Sequence, residues 1–308
     1  MNAEVQSNRK AELLSSTVEH VAIDQYDARP IIDAMRQMSF TSRDTARAAD
    51  IFSMALEDPS CSTWLTLAGS TSAGGCMHIY RDMVKYGLID AVVATGASIV
   101  DMDFFEALGF KHYQAKEPVD DRDLRALYID RIYDTYIDEE ELQTCDAVIK
   151  EITDQLEPRP YSSREFIWEM GKWLAAGAAK KPGSLIQTAY EEGVPIFCPA
   201  FTDSSAGFGL VKHQVERMKA GKPYLTIDSI ADWRLRQLHL PEVYGVKENP
   251  LPWLQSMLSG VEHANFFEAR STEYSKAATK GQWHGDAGVW SEFDRLLSKR
   301  SENTLPAE

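Results

Sequence analysis

The chain has 308 residues and a mass of 34.6 kDa, which is enough for one large α/β domain or two smaller domains. Its 32 Lys and Arg residues are outnumbered by 47 Asp and Glu residues, and the net charge of −15 argues against general affinity for nucleic acid or for an anionic membrane surface. No apolar run reaches the roughly 18 residues that span a bilayer, and the N-terminus has no apolar secretory core, so we expect a cytoplasmic protein.

The sequence of the first part of the chain predicts a polar N-terminal segment, then helices, then a buried strand. Residues 1–19 have the composition of a loose polar segment, and residues 20–60 carry apolar side chains at helical spacing. The short apolar run TWLTLAG, residues 63–69, is typical of a buried parallel strand. A glycine-rich turn follows it, and then a helix that Gly87 closes.

The same order of elements repeats further along the chain. Residues 88–96 predict a second buried strand, and residues 97–109 predict the helix after it. Ser184 is placed to cap a later helix that leads into a third strand, residues 194–200, and residues 224–229 are a fourth strand candidate. This repetition predicts an α/β fold, a doubly wound (Rossmann-like) parallel sheet with helices on both faces.

The character of the sequence changes from about Leu235. Residues 235–308 contain no apolar run like those of the predicted strands, and the segments LPWLQSMLS and VWSEFDRLLSKR have the spacing of short amphipathic helices. We therefore predict an α/β domain over residues 1–234 and a divergent, mainly helical segment over residues 235–308.

The first glycine-rich turn is a candidate binding site. Its small residues would let a phosphate or a ribose approach the backbone closely. The turn is not a Walker P-loop, because no Lys-Ser/Thr pair follows Gly74, and it lacks the GxGxxG spacing. A tight structural turn is the alternative interpretation. The candidate cofactor-binding residues in this turn are Gly69, Ser70, Thr71, Ser72 and Ala73.

Two further turns follow the neighbouring strands. Thr95, Gly96 and Ala97 end the second strand, and Asp101 lies just beyond them, where its carboxylate would accept a ribose hydroxyl. Asp203 follows the third strand. The alternative roles are a first-turn helix acid for Asp101 and a helix cap for Asp203. Because the carboxyl ends of parallel strands share one edge of a sheet, we expect the three turns to converge there.

The other polar groups indicate no catalytic centre. The acidic run from Asp138 to Glu141 is typical of a solvated helix start. The histidines form no HxH or HExxH pair, and no GxSxG elbow for a nucleophilic serine occurs. The four cysteines are widely spread, without metal-ligand spacing, so we expect reduced thiols and no metal site; they are Cys61, Cys76, Cys145 and Cys198.

Several segments of residues 20–234 are specific when taken together. They are LAGSTSAGG, AVVATGAS, DFFEALGFKHYQ, RIYDTYIDEEEL, PYSSREFIWEMGKWL, VPIFCPAFTDSSAGFG and LTIDSIADWR. In this order and at this spacing, the chain resembles the deoxyhypusine synthase family.

The resemblance implies NAD-dependent chemistry on a polyamine. In that family NAD oxidises the secondary amine of spermidine, diaminopropane leaves, and the aminobutyl group passes through an active-site lysine to a lysine of translation initiation factor 5A. The resemblance also implies that the first two turns contact the cofactor, that Asp101 binds ribose, and that Asp203 belongs to the same site. A homotetramer or hetero-tetramer is the implied assembly, and a small diamine such as putrescine is an alternative acceptor.

The sequence departs from the family after Arg234. No triple-glycine turn, acidic polyamine-binding stretch or Trp-Gly-Lys segment is recognisable there, and Lys280 lies in a segment that only loosely resembles the one around the family's nucleophile. Phe208 stands where some members place a substrate-binding aspartate. Two hypotheses therefore remain beside an active transferase. One is an inactive member that supports or activates an intact paralogue, and the other is a product with an out-of-frame tail. The catalytic residues stay unassigned.

Overall fold

Short strands alternate with helices in the computed structural model, which describes residues 3–181, 183–202 and 204–233. In these residues the helices are α1 (Ala3–Leu13), α2 (Arg29–Arg36), α3 (Phe40–Glu57), α4 (Met77–Lys85), α5 (Phe105–Ala107), α6 (Asp121–Ala126), α7 (Glu139–Gln155), α8 (Ser163–Trp173), α9 (Leu185–Glu192), α10 (Ala206–Lys219) and α11 (Ser229–Trp233). The strands are β1 (Trp64–Leu67), β2 (Ala91–Ala94), β3 (His112–Gln114), β4 (Ile129–Ile132), β5 (Thr135–Asp138), β6 (Pro160–Tyr161), β7 (Ile196–Phe197) and β8 (Thr226–Ile227). Wider π-type turns occupy Ser72–Cys76, Ala97–Phe104 and Leu174–Ala178.

A parallel sheet with the order β1-β2-β7 lies in the core. Trp64 of β1 pairs with Ala91 of β2, and Val93 of β2 pairs with Phe197 of β7. All four residues of β2 are buried, as expected for a strand covered on both faces. The three strands predicted from the apolar runs are therefore present, although each is shorter than its run.

The predicted extent of the parallel sheet needs correction. The described strands form three small sheets, because β3-β5-β4 is an antiparallel sheet and β6-β8 is a separate parallel pair. The fourth strand candidate forms β8, which pairs with β6 and not with the central sheet. A mixed α/β fold with a parallel sheet is confirmed. The described strands do not form a single doubly wound sheet.

Several helix ends follow the sequence signals. The Ser184 hydroxyl accepts the Gln187 amide at 3.0 Å, which caps α9 as predicted, and α9 ends at Gly193 in the left-handed conformation. The Asp138 carboxylate likewise accepts the Glu140 amide at 2.9 Å, so the acidic run begins α7. The residues just before this run form the hairpin of β4 and β5, which the sequence analysis missed.

The prediction of a loose N-terminus is wrong, because residues 3–13 form helix α1. This helix contributes little to the hydrophobic core: among its described side chains the buried apolar one is Leu13, which packs near the antiparallel sheet. Polar contacts add to this, since Lys10 lies 2.9 Å from Asp138 and 2.8 Å from Glu140. Such long-range ion pairs leave no periodic pattern in the sequence, which explains why the helix was missed.

The described helices include none with the length and apolar character needed to cross a bilayer. The predicted helical segment, residues 235–308, lies outside the described residues, so the boundary at 234 stays a prediction.

Candidate functional site

The turns after the three central strands lie next to one another. The Ser98 hydroxyl donates to the carbonyl of Gly69 at 3.1 Å and lies 3.2 Å from the Thr95 hydroxyl. The Thr95 amide also donates to the Leu67 carbonyl at 3.2 Å. These contacts join the first turn to the second at the carboxyl edge of the sheet.

The second turn is packed against the third. A Cβ atom added at Gly96 would lie 2.6 Å from Cβ of Ser204 and 3.1 Å from the carbonyl oxygen of Phe201. Glycine is required for this approach, because any side chain would push the turns apart. Asp203 lies outside the described residues, but Ser204 beside it belongs to this contact.

Asp101 bridges the second and third turns. Its carboxylate accepts the Ser205 amide at 3.1 Å and a short hydrogen bond from the Ser205 hydroxyl. Ser205 immediately precedes α10, so Asp101 contributes to the start of that helix. The role of Asp101 in this contact is similar to that of a helix cap. The alternative that the sequence suggested was different, namely an acid in the first turn of its own helix. Ribose binding by Asp101 stays a prediction.

The first turn is ordered by its own hydrogen bonds. The Gly74 amide donates to the Ser70 carbonyl at 3.0 Å, and the Cys76 amide donates to the Thr71 carbonyl at 3.1 Å. The Thr71 hydroxyl, on an exposed residue, accepts the Tyr80 hydroxyl at 2.7 Å. Ser72 and Ala73 are buried. Ala97, the last of the predicted residues, is the first residue of the π-type turn that follows β2. The predicted residues within the described part of the chain are thus brought together.

A buried carboxylate that was not predicted from the sequence, that of Glu106, lies near the end of the first turn. Glu106 is 3% exposed and accepts hydrogen bonds from His112 Nδ1 at 2.8 Å and His20 Nε2 at 2.9 Å. Lys181 makes a short ion pair with the same carboxylate. His20 and Lys181 lie 86 and 75 positions from Glu106, so no local motif signals the cluster.

The pKa values of Glu106 and of the neighbouring His78 are both lowered, but for different reasons. Burial by itself would raise the pKa of Glu106, but the hydrogen bonds from His112, His20 and Lys181 outweigh it and hold that pKa well below its usual value. Burial, with the charges of Arg81 and His20, lowers the pKa of His78 to about 4.

Asp103 lies close to the same cluster. Burial raises the pKa of Asp103 to about 6, although its carboxylate accepts the amides of Ile186 and Leu185. These two hydrogen bonds, 2.9 and 2.7 Å long, cap the N-terminus of α9. The shifts of Asp103 and Glu106 thus report buried structural contacts, and neither residue lies among the predicted cofactor-binding residues.

The fold and the site together define a mixed α/β protein with small-residue turns converging at the carboxyl edge of a parallel sheet. The family model for deoxyhypusine synthase matches residues 30–240. The chain therefore belongs to the deoxyhypusine synthase family.

Curated relatives carry the same family name in a qualified form. A deoxyhypusine synthase-like protein of Caulobacter vibrioides is 79% identical over 234 residues, covering 76% of this chain and 64% of the relative. A deoxyhypusine synthase-like protein of Coxiella burnetii is 69% identical over 225 residues, covering 73% of this chain and 63% of the relative. The chain thus spans less than two thirds of the length of each.

A solved structure shares the fold. The crystal structure of a deoxyhypusine synthase candidate from Entamoeba histolytica matches with a TM-score of 0.50 and 18% sequence identity, covering 72% of this chain and 74% of the other.

Proposed function

We propose that the chain binds NAD at the edge where the three turns converge. The observation that carries the proposal is the contact of Gly69 with Ser98 and of Gly96 with Ser204, which places all three turns at one edge of the sheet. The proposed cofactor-binding residues are Gly69, Ser70, Thr71, Ser72, Ala73, Thr95, Gly96, Ala97, Asp101 and Asp203.

The residues present fit a dinucleotide. Among the described residues, apart from its own chain neighbours, none has an atom within 4 Å of a Cβ added at Gly69 or at Gly74, so the backbone of the first turn has space beside it in this part of the chain. The exposed Thr71 provides a hydroxyl, and Asp101 provides a carboxylate of the kind that accepts ribose hydroxyls. Small side chains, a hydroxyl and an acid at one sheet edge are the donor and acceptor set that such a ligand needs.

We further propose that the chain takes part in aminobutyl transfer from spermidine to an acceptor amine. The acceptor is a lysine of a protein of the initiation factor 5A type or a small diamine. NAD, when bound, supplies the hydride acceptor and donor for this chemistry. Phe208, which is 66% exposed on the first turn of α10, offers an aromatic face to a cationic substrate. The proposed setting is the cytoplasm, and the proposed assembly is a homotetramer or hetero-tetramer.

A second candidate function is a non-catalytic family member that supports an intact paralogue. It is favoured by the match to the family model, which ends at residue 240 although the chain continues to residue 308. Such a protein would keep the NAD site and lack turnover. A tail that is out of frame would also produce this outcome, and sequencing the gene beyond codon 234 distinguishes the two.

The NAD site is tested by replacing Asp101 with asparagine. Asp101→Asn keeps an oxygen that accepts from Ser205 but removes the charge offered to the ribose hydroxyls, so we expect about tenfold weaker NAD binding by isothermal titration calorimetry. Asp44→Asn, on the exposed face of α3, makes the same charge change away from the site and should leave the affinity unchanged. Equal affinities for the wild type and Asp101→Asn would remove Asp101 from the site, and a wild type without affinity would refute the proposal.

Turnover separates the two candidate functions. The purified full chain is incubated with NAD and spermidine, and diaminopropane is measured by mass spectrometry. Release that depends on NAD supports the transferase. Binding of NAD without release supports the non-catalytic member, which should then co-purify with an intact paralogue.

A further inference from the structure

An extended segment before α2 lies directly behind the proposed cofactor turn. Residues 16–23, here called the N-terminal strap, bind three separate parts of the fold through their backbone. The Ser16 carbonyl accepts the Gln114 amide at 2.7 Å, and the Val18 amide donates to the His112 carbonyl at 2.9 Å, so the strap begins along β3. At its other end the Ile23 amide donates to the Asp82 carboxylate on α4 at 3.1 Å.

Between these two ends the strap touches the first turn itself. The Val21 amide donates to the Gly75 carbonyl at 3.0 Å. A Cβ added at Gly75 would lie 2.9 Å from the Glu19 carbonyl oxygen and 3.9 Å from Cγ1 of Val18. Gly75 has φ of +102°, a conformation that glycine adopts without strain. The strap therefore contacts Gly75, a residue with positive φ that lies two positions before the start of α4.

The His20 side chain anchors the strap to the buried Glu106 carboxylate. The His20 side chain is 2% exposed, and its Nε2 lies 2.9 Å from Oε1 of Glu106. The His20 ring also lies 4.9 Å from the ring of His78, in the first turn of α4 directly after the glycine-rich turn. His20 thus connects the strap to the segment that follows the predicted cofactor contacts.

We propose that the N-terminal strap holds the first turn in its binding conformation, which makes His20 a positioning residue for the cofactor. The inference rests on the proposed function only for the identity of that cofactor. A loop that is ordered before binding costs less conformational entropy when the ligand arrives. Loss of the His20 anchor then leaves the turn mobile in the free protein and weakens binding without removing any residue that touches the ligand.

The test measures two quantities separately: the hydrogen exchange of the first turn and the affinity of the protein for NAD. In His20→Ala, without ligand, we expect about tenfold faster amide hydrogen exchange over residues 69–77 and unchanged exchange in α8, the internal reference. NAD binding by calorimetry should weaken about tenfold. His20→Gln, which retains a donor for Glu106, should restore most of both properties.

Two variants keep the test specific. Lys10→Ala loosens α1 by removing its contacts to Asp138 and Glu140, but it does not touch the first turn, so exchange over residues 69–77 should stay as in the wild type. Val18→Ala removes the Val18 methyl group that lies beside Gly75 and changes no side chain of the Glu106 cluster. It should accelerate exchange in the turn, and it carries the test if His20→Ala does not fold.

The outcomes separate this inference from the proposed function. Unchanged exchange over residues 69–77 in both His20→Ala and Val18→Ala, or an equal acceleration in Lys10→Ala, would overturn the role of the strap. Faster exchange with unchanged NAD affinity would overturn its coupling to the cofactor. A wild type that binds no NAD refutes the proposed function, whereas the exchange measurements still decide whether the strap orders the turn.

Discussion

Gly209→Ala is expected to destabilise the protein by about 2 kcal/mol, because helices α7 and α10 cross at this residue with no room for a methyl group. A Cβ at Gly209 would lie 2.6 Å from the Asp146 carbonyl oxygen and 2.9 Å from Cβ of Ile149. The first contact is with backbone, so α10 must move as a whole. The higher helix propensity of alanine, about 1 kcal/mol, offsets only part of this cost. Thermal unfolding followed by circular dichroism measures the change.

The same variant should weaken the proposed cofactor site. Helix α10 follows the third turn directly, and Ser205 in front of it is held by Asp101, so a displaced α10 disturbs the convergence of the turns. Gly74→Ala is the matched control for stability, since a Cβ there would meet no atom of the described residues within 4 Å beyond its chain neighbours. An equal loss of stability in Gly209→Ala and Gly74→Ala would show that the helix crossing is not the cause.

The central elements were predictable because their signals are local. A run such as Ala91–Ala94 is apolar throughout, which suits a strand buried on both faces, and Ser184 precedes its helix at the capping position. The convergence of the turns followed from the topology, since parallel strands place their carboxyl ends together. The residue-level role of Asp101 did not follow, because its acceptance of the Ser205 amide depends on where α10 packs.

The parts that were missed depend on contacts between distant residues. Helix α1 is held by the Lys10 ion pairs, and the strap by the His20–Glu106 contact, and neither has a periodic or motif signature. The hairpin of β4 and β5 turns at Tyr133, a non-glycine residue with φ of +55°, where the usual Asn-Gly or Asp-Gly turn signal is absent. A single sequence was therefore enough to predict that the three turns meet at one edge of the sheet, but not the distant contacts of α1 and of the N-terminal strap.

Glu106→Gln is expected to cost about 3 kcal/mol of unfolding free energy. The substitution leaves His20 and His112 without the buried carboxylate that accepts a hydrogen bond from each. The amide of Gln also places an N–H donor among side chains that themselves donate to this position. Lys181, which is 40% exposed, can turn toward water, and this keeps the cost at the lower end for a broken buried ion pair. Glu216→Gln, at an exposed pair with Lys150, should change stability by less than about 0.5 kcal/mol.

The pH dependence of this loss identifies the carboxylate as its cause. Because the pKa of Glu106 is held below its usual value of 4.5, the unfolded chain takes up a proton at this residue before the folded protein does. The stabilisation by Glu106 is therefore complete above about pH 5 and declines as the pH falls below the unfolded value. His78 and Asp103 are present in both proteins, and Glu106 is only a minor cause of either pKa shift, so most of their contributions cancel in the comparison. Chemical denaturation from pH 7 to pH 3 should show the wild type and Glu106→Gln converging below pH 4.5, and a gap that stays constant would assign the loss to packing.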